Sequence, residues 1–405
     1  MATTKPSRAH VTGPLAQYVE GFRSELIRLG YTPLTAAGHL RLMAHLSRWL
    51  ADQNLGPSAL DEMTVNAYFV QRRAAGYTNE RTERSLRPLL EHLRQQGGAP
   101  VPTPPEPATP VDRLLAEYRE WMRLERGLSD GTVELNVRLV RLFLVSYVVG
   151  NDGVEVGSLT AKDVADFVMS QARQRPRSVK RIVTALRSVL RFLYLEGHIA
   201  HSLAAAVRGV PGWTLTGLPQ ALDDSQVAAL LATCDRGTAT GLRDLAILTL
   251  LVRLCLRAGE VAGLGLDDID WRRGELVVTG KANRVDRLPL PADVGERIVD
   301  YLRDRRPRTA GDRRLFITAQ APHRGLASNG VTTVVAVAGR RAGLGTIGAH
   351  RLRHSAATAM LRAGGSLSEI GQILRHRRVA ATAIYAKVDL EALRSLAHPW
   401  PGEDR

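Results

Sequence analysis

The stretch GELVVTGKANRVDRLPL, residues 274–290, decides which fold the chain can adopt. GELVVTG and VDRLPL are rich in β-branched and apolar residues, and the polar KANR segment between them is typical of a turn, so they predict two paired strands. The flanking sequence is helical: residues 244–264 predict a buried helix and a short second one, and residues 291–306 carry proline at a helix start. We therefore expect a mainly α fold with a small antiparallel β-sheet, an α+β architecture. Further along, Ser366 and Glu369 form a capping box that predicts a helix over about 367–376, and Gly364-Gly365 is expected to end the helix before it.

The lysine in the predicted turn is unusual for this chain. Of 55 basic residues only five are lysines, which leaves 55 − 5 = 50 arginines, so Arg would be the expected cation at position 281. An ammonium group can release its proton when its surroundings lower its pKa, whereas a guanidinium stays protonated. Lys281 is therefore either one of five scattered lysines or a residue placed where a proton is needed.

Composition limits the class of protein. A length of 405 residues suggests two or three domains, and the net charge of +15 favours a polyanionic partner, although an anionic membrane or an arginine-rich genome also fits. Only Cys234 and Cys255 are present, too few for a disulfide scaffold, which indicates a reducing compartment. The first residues lack an apolar signal core, and the apolar run at 245–252 is far shorter than a membrane span, so we expect a soluble, cytoplasmic protein with no membrane partner.

Breaks in composition predict the domains. The stretch GGAPVPTPPEPATP, rich in Pro and Gly, cannot hold a helix and is interpreted as a linker, and RGVPGWTLTGLP at 208–219 marks a second break. The predicted division is an extra N-terminal helical domain at 1–96, a linker at 97–110, a helical domain at 111–207, a linker at 208–220, and a C-terminal domain with a tail at 221–405.

The two helical domains resemble each other. LRPLLEHLRQQG (86–97) matches LRSVLRFLYLEG (186–197), and LAQYVEGFRSEL (15–26) matches LAEYREWMRLER (115–126), in the same order. Shared leucine spacing in any two helical bundles would explain part of this match. The matched glycines that follow the helices favour an internal duplication, although two copies are fewer than a solenoid requires.

Residues that could carry chemistry follow in the C-terminal part. GAHRLRHSAATAML (348–361) places His350, Arg353 and His354 within one helical turn, so that residues three and four apart share a face. A zinc pair of the two histidines would need further ligands, and none is evident. LRHRRVAATAIYAKVD (374–389) offers His376 and Tyr385, although a tyrosine on a helix is most often core packing.

These residues, in this order, resemble the tyrosine recombinases or phage-type integrases over residues 221–390. Arg257 and Glu260 resemble the family's Arg-x-x-Glu pattern, and Lys281 resembles its hairpin lysine. The remaining matches are the His-x-x-Arg-His box at His350, Arg353 and His354, the later histidine at His376, and the nucleophile at Tyr385. Two positions depart from the family pattern: Cys255 replaces the usual Gly before Leu-Arg, and Arg375 replaces the Gly of Leu-Gly-His.

The resemblance implies site-specific DNA recombination without a cofactor or metal. Tyr385 would form a 3′-phosphotyrosine, Arg257 and Arg353 would bind the phosphate, and Lys281 would protonate the 5′-oxygen. His350 would exchange the tyrosine proton, His376 would bind the phosphate, and Glu260 and His354 would support them. Residues 111–207 would be the helical core-binding domain, and residues 1–96 an extra SAM-like DNA-binding or assembly module.

The implied partners are double-stranded DNA and, on paired sites, a homo-tetramer, with accessory recombination proteins left open. The extra N-terminal length favours an integrase of a mobile element. The basic stretch around Arg177, Lys180 and Arg181 is the candidate DNA contact, with a merely solvated face as the alternative. A type IB topoisomerase-like nicking-closing enzyme and a catalytically silent DNA-binding regulator remain alternatives, whereas a metal-dependent transposase would need a carboxylate cluster that the sequence does not show.

Overall fold

The computed structural model describes residues 10–80, 82–102, 107–150, 156–176, 178–207, 221–280, 283–307 and 311–376, together with Thr382 and Tyr385. The chain forms two compact units, one of residues 1–102 and 217–405 and the other of residues 103–216. None of the helices in the described ranges is long and apolar enough to cross a membrane.

Four helices occupy the N-terminal part of the first unit. They are α1 (Val19–Arg28), α2 (Pro33–Asp52), α3 (Glu62–Ala74) and α4 (Glu83–Gln95). Their apolar faces enclose a core of their own that includes Phe22, Met43 and Phe69. These helices also contact a later segment of the same unit, where the His323 amide donates to the Leu29 carbonyl at 3.1 Å.

The second unit repeats the four-helix plan. Its helices are α5 (Pro110–Leu124), α6 (Asp130–Gly150), α7 (Ala161–Gln174) and α8 (Val179–Leu195). Thr109 and Thr160 form capping boxes with the aspartates three residues later, which explains why α5 and α7 begin where they do. The core packs Tyr118 and Trp121 of α5 against Phe192 of α8.

The C-terminal part of the first unit is helical with one small sheet. Its helices are α9 (Asp224–Ala232), α10 (Ala239–Arg253), α11 (Ala258–Gly263), α12 (Ala292–Asp304), α13 (Ser328–Arg341), α14 (Ala349–Arg362) and α15 (Leu367–Ile373). The strands are β1 (Ile269–Asp270), β2 (Glu275–Thr279) and β3 (Val285–Pro289), antiparallel in the order β1-β2-β3. The apolar helix α10 lies at the centre of the core.

The predicted fold class is confirmed. Strands β2 and β3 pair with Val278 opposite Asp286, as the hairpin pattern predicts, whereas the two-residue strand β1 had no sequence signal. The Ser366–Glu369 capping box starts α15 as predicted, with the Glu369 amide 3.2 Å from Ser366 Oγ. That helix ends at Ile373, three residues before the predicted end at His376, because Arg375 adopts a left-handed backbone.

The repeated sequence segments have equivalent local structure. Gly97 after α4 and Gly197 after α8 both have positive φ, at 68° and 76°, and so do Gly30 and Gly127, at 82° and 54°. A residue in this conformation ends a helix by turning the chain back on its last carbonyls, and glycine adopts it at least cost. The shared glycine-terminated helices support the duplication, which remains an interpretation.

Candidate active site

Four segments of the C-terminal part converge on one cluster of side chains. They are the turn after α10, the start of α11, the first half of α14 and the turn after α15. Together with Tyr385 they bring into proximity six of the predicted residues, Arg257, Glu260, His350, Arg353, His354 and His376. Residues separated by more than 120 positions in sequence thus meet at one place.

The pair of Arg257 and Glu260 is built by the start of α11. Arg257 is the N-cap residue, and its amide donates to Glu260 Oε2 at 2.8 Å while its Nη1 donates to Oε1 at 2.6 Å. The Glu260 side chain is 4% exposed and that of Arg257 is 41% exposed. The carboxylate is therefore satisfied inside the protein and holds the guanidinium in place, while one face of Arg257 stays open to an anion.

Arg353 is the most deeply placed cation of the cluster, at 2% exposure. It donates to the backbone carbonyls of Cys255 and Leu374, which uses two of its five N–H donors. Burial, and next the charge of Arg257, lower the pKa of Arg353 to about 10, so the guanidinium remains protonated at neutral pH. The side chain ties the turns after α10 and α15 together and retains donors for a further acceptor.

The two turns whose carbonyls accept hydrogen bonds from Arg353 each contain a residue in an uncommon backbone conformation. Cys255 and Arg375 have φ values of 52° and 51°, in the left-handed region that costs a residue with a side chain roughly 1–2 kcal/mol. After α15 the His376 amide donates to the Gly371 carbonyl at 2.9 Å and the Arg375 amide to the Gln372 carbonyl at 2.8 Å, the Schellman arrangement that usually has glycine at the position of Arg375. These are the two positions at which the sequence analysis expected glycine from the resemblance.

Tyr385 is buried, and its hydroxyl lies 2.8 Å from His354 Nδ1. Burial raises the pKa of Tyr385 to about 12, so the phenol keeps its proton at neutral pH. The His350 ring stands edge-on to that of His354, with centroids 4.2 Å apart. The described geometry thus places His354, expected only to support the site, in contact with the phenol, and the role of His350 as the proton acceptor stays a prediction.

The histidines of the site are held neutral. Burial, followed by neighbouring positive charge, lowers the pKa of both His354 and His376 to about 4, and the same causes lower the pKa of His350. His376 Nδ1 lies 2.8 Å from Thr382 Oγ1, which orients the ring. Neutral imidazoles can accept a proton, which is the property that a general base requires.

These pKa shifts predict acid sensitivity. The unfolded chain, with histidine pKa values near 6.5, binds more protons than the folded chain between about pH 6.5 and 4, so the free energy of unfolding decreases as the pH falls through that window. We expect the melting temperature to drop between roughly pH 7 and pH 5, before most carboxylates titrate. His376→Asn removes one of the titrating groups and should weaken this dependence. A melting temperature that is flat or rises over the same range would contradict the prediction.

Four predicted residues need separate mention. Lys281 and Arg177 lie outside the described residues. Gly280, the residue before Lys281, is described: a Cβ built on it would lie 3.5 Å from Glu260 Oε1, so the end of β2 approaches the buried carboxylate. Lys180 and Arg181 are exposed in the first turn of α8, in the second unit.

Sequence reasoning did not assign a role to two residues that the structure places beside the cluster. Arg375 pairs with Glu260, and Asp286 on β3 lies close to Arg375. The only signal for Arg375 was its replacement of a family glycine, and Asp286 had none. No group of three or more His, Cys, Asp and Glu side chains is arranged to hold a metal ion within the part of the chain that the structure describes.

Known proteins resemble this chain in sequence. The model of the Phage integrase family matches residues 220–391. A relative from Sinorhizobium fredii (strain NBRC 101917 / NGR234), named "Putative integrase/recombinase y4rA", is 40% identical over 96% of both chains. The tyrosine recombinase XerD of Listeria monocytogenes serovar 1/2a (strain ATCC BAA-679 / EGD-e) is 29% identical over 69% of this chain and 95% of its own.

Solved structures share the fold. The XerH site-specific recombinase bound to palindromic difH substrate covers 73% of this chain and 98% of its own, with a TM-score of 0.56 and 18% identity. A lambda integrase tetramer bound to a Holliday junction covers 78% of this chain and 88% of its own, with a TM-score of 0.51 and 17% identity. Since a relative 40% identical matches nearly the whole chain, the chain belongs to the phage integrase family of tyrosine recombinases.

Proposed function

We propose that this protein is a site-specific DNA recombinase or integrase that cleaves and rejoins DNA strands through a 3′-phosphotyrosine intermediate. The observation that carries the proposal is the hydrogen bond of the Tyr385 phenol to His354, within a cluster that also contains Arg353 and Arg257. A nucleophile next to a neutral imidazole and beside cations is an arrangement suited to phosphoryl transfer.

The reaction balances with protein groups alone. The Tyr385 oxygen attacks phosphorus, the bond from phosphorus to the 5′-oxygen breaks, and the products are a 3′-phosphotyrosine and a 5′-hydroxyl. The phenol proton passes to a histidine and the 5′-oxygen receives a proton from an acid. Rejoining is the same step in reverse with a 5′-hydroxyl of the same or another strand, so the bond energy is kept and no ATP is consumed.

Positive charge in the cluster suits the transition state. Negative charge grows on the non-bridging phosphate oxygens during attack, and preorganised guanidinium donors stabilise it. The partly exposed Arg257 is oriented by Glu260, and the buried Arg353 has three N–H donors beyond the two that bind the carbonyls of Cys255 and Leu374. We assign both to phosphate binding, with His376 as a further hydrogen-bond partner.

We assign the proton transfers to Lys281 and His350. Lys281 is the group that can lose a proton to the departing 5′-oxygen, which Arg at that position could not do at neutral pH. Gly280 beside Glu260 supports a hairpin end near the site. His350 would accept the phenol proton during attack, and His354 would hold the phenol before DNA binds.

The assembly follows from the relatives by analogy. Solved neighbours include recombinases on DNA and a tetramer on a Holliday junction, and we propose double-stranded DNA as the partner and a homo-tetramer on two sites as the active form, in the cytoplasm. We keep the proposed domains, with residues 111–207 as the core-binding domain and residues 1–96 as an extra DNA-binding or assembly module of a mobile-element integrase. Accessory recombination proteins are left open.

Covalent trapping tests the proposal. The protein is incubated with nicked duplexes from the DNA flanking its own gene, denatured, and resolved for a protein–DNA adduct, and strand exchange between two duplexes is measured in parallel. Adduct formation with exchange supports a recombinase. Relaxation of supercoiled DNA without exchange would indicate the topoisomerase-like alternative, and tight binding to a defined site without adduct would indicate a silent regulator.

Binding to DNA should depend steeply on salt, since phosphate contacts release counterions. We expect Lys180→Ala with Arg181→Ala to weaken binding and to reduce the slope of log affinity against log salt by about 2, roughly one for each lost phosphate contact. Lys162→Ala on α7, whose 86% exposed side chain lies 3.7 Å from Asp166, is the control. A fluorescence titration with equal slopes for the wild type and the double variant would show that this turn does not touch DNA.

A further inference from the structure

Arg375 occupies a position that the backbone favours for glycine. It follows α15 in the left-handed conformation, at a φ of 51°. A residue with a long charged side chain keeps this strained conformation only when its other contacts enforce it. Such strained residues occur most often at functional sites.

The guanidinium of Arg375 lies between two carboxylates from different elements. Its Nη2 is 2.5 Å from Glu260 Oε2, on α11, and its Nε is 3.7 Å from Asp286 Oδ2, on β3. The Arg375 side chain is 6% exposed and that of Asp286 is 18% exposed. The contacts join the end of α15, the carboxylate that orients Arg257, and the second strand of the hairpin.

The strand that Arg375 contacts is β3, which follows Lys281 in the sequence. The turn is closed by the Gly280 amide, which donates to the Arg284 carbonyl at 2.7 Å, and Arg284 itself donates to Asp286 Oδ1 at 3.0 Å. On the other side Arg375 is directly followed by His376. One side chain is therefore linked to the hairpin, to the Arg257–Glu260 pair and to the histidine turn.

The network is not fully satisfied. Nη1 of Arg375 is buried and, among the described residues, has no hydrogen-bond partner. A buried donor without an acceptor is unfavourable, so the site gains if an acceptor arrives at that nitrogen.

We propose that Arg375 is a positioning residue that couples the β2–β3 hairpin, and with it the acid Lys281, to the Arg257–Glu260 pair. This inference rests on the proposed function, because it gives Arg375 a positioning role in the proposed DNA-cleavage reaction. Arg375 acts through the hairpin and does not itself bind the scissile phosphate. Loss of the side chain therefore impairs protonation of the 5′-oxygen more than binding or nucleophilic attack.

The central test compares Arg375→Gly on two substrates. Glycine relieves the left-handed strain, so the helix end is preserved while the coupling is removed. Single-turnover cleavage of an ordinary phosphodiester should slow by up to about 10²-fold, the loss that misplacement of a catalytic group causes. With a bridging sulfur at the 5′ position the leaving group needs no proton, and most of the lost rate should return.

Two further variants sharpen the comparison. Arg375→Lys keeps the charge but lacks the planar fork that can face two carboxylates, so its rate should lie between those of the wild type and the glycine variant. Asn54→Gly changes another left-handed residue, φ 54°, outside the site, to glycine and controls for the backbone effect alone. It should cleave both substrates as the wild type does.

Hydrogen exchange of peptides covering residues 275–289 gives a second readout that does not depend on cleavage. Faster exchange in Arg375→Gly and in Asp286→Asn, but not in Asn54→Gly, supports the coupling, and this holds even if the wild type forms no adduct and the proposed function fails. Unchanged exchange in Arg375→Gly overturns the inference. So does wild-type cleavage on both substrates, or an equal defect on both, because the latter would place Arg375 on the phosphate or the nucleophile.

Discussion

Tyr385→Phe is expected to abolish the covalent protein–DNA adduct completely while leaving DNA binding unchanged. Only the phenol oxygen can form the 3′-phosphotyrosine, and phenylalanine removes that oxygen while filling the same buried space. The hydrogen bond to His354 is lost as well, which should cost about 1 kcal/mol of folding stability, too little to unfold the domain. The measurement is denaturing electrophoresis of the trapped adduct, with affinity and melting temperature measured on the same preparations.

A matched control separates chemistry from packing. Tyr301→Phe removes the hydroxyl of another buried tyrosine, 2% exposed, in α12 and away from the cluster. We expect this variant to form adduct at the wild-type rate. Adduct that persists in Tyr385→Phe would show that another side chain is the nucleophile and would overturn the assignment of the site.

Arg353→Lys is expected to reduce the single-turnover cleavage rate by on the order of 10² or more, the loss typical of a donor that stabilises a developing oxyanion. Lysine keeps the charge but lacks the planar fork that reaches the Cys255 and Leu374 carbonyls. At least one carbonyl would then lose its partner, which should destabilise the protein by roughly 1–3 kcal/mol. Quenched-flow or manual trapping gives the rate, and thermal unfolding gives the stability.

The control for this variant is Arg362→Lys at the exposed end of α14, the same helix, where the guanidinium is outside the cluster. It should leave both the cleavage rate and the melting temperature close to those of the wild type. Cleavage by Arg353→Lys at the wild-type rate would mean that Arg353 only ties the two turns together. A fall in melting temperature without a fall in rate would lead to the same conclusion.

Local signals explain why much of the fold was predictable. Three features depend only on residues a few positions apart: the Ser366–Glu369 capping box, the glycine-terminated end of α14 and the β2–β3 hairpin. The local sequence is therefore sufficient to predict them. Strand β1 was not predicted because its two residues are too few to show the alternation of apolar and polar side chains that indicates a strand. The end of α15 was misplaced because an arginine gives no local sign of a left-handed backbone.

The sequence also predicted, from residue types and their order, the side chains that meet around Tyr385 in the candidate site. The contacts between these side chains could not be predicted from the sequence. Tyr385 lies against His354, Arg353 binds two backbone carbonyls, and Arg375 faces both Glu260 and Asp286. Each of these contacts joins residues that are between 21 and 115 positions apart in sequence.

The helical periodicity, the hairpin and the candidate reactive groups could be predicted from the amino-acid sequence, because each depends on local backbone preference or on side-chain chemistry. Which groups touch, which are buried and how their pKa values change depend on tertiary packing. Burial and neighbouring charge, which lower the pKa of His354 and His376 to about 4 and raise that of Tyr385 to about 12, exist only once distant segments have packed together.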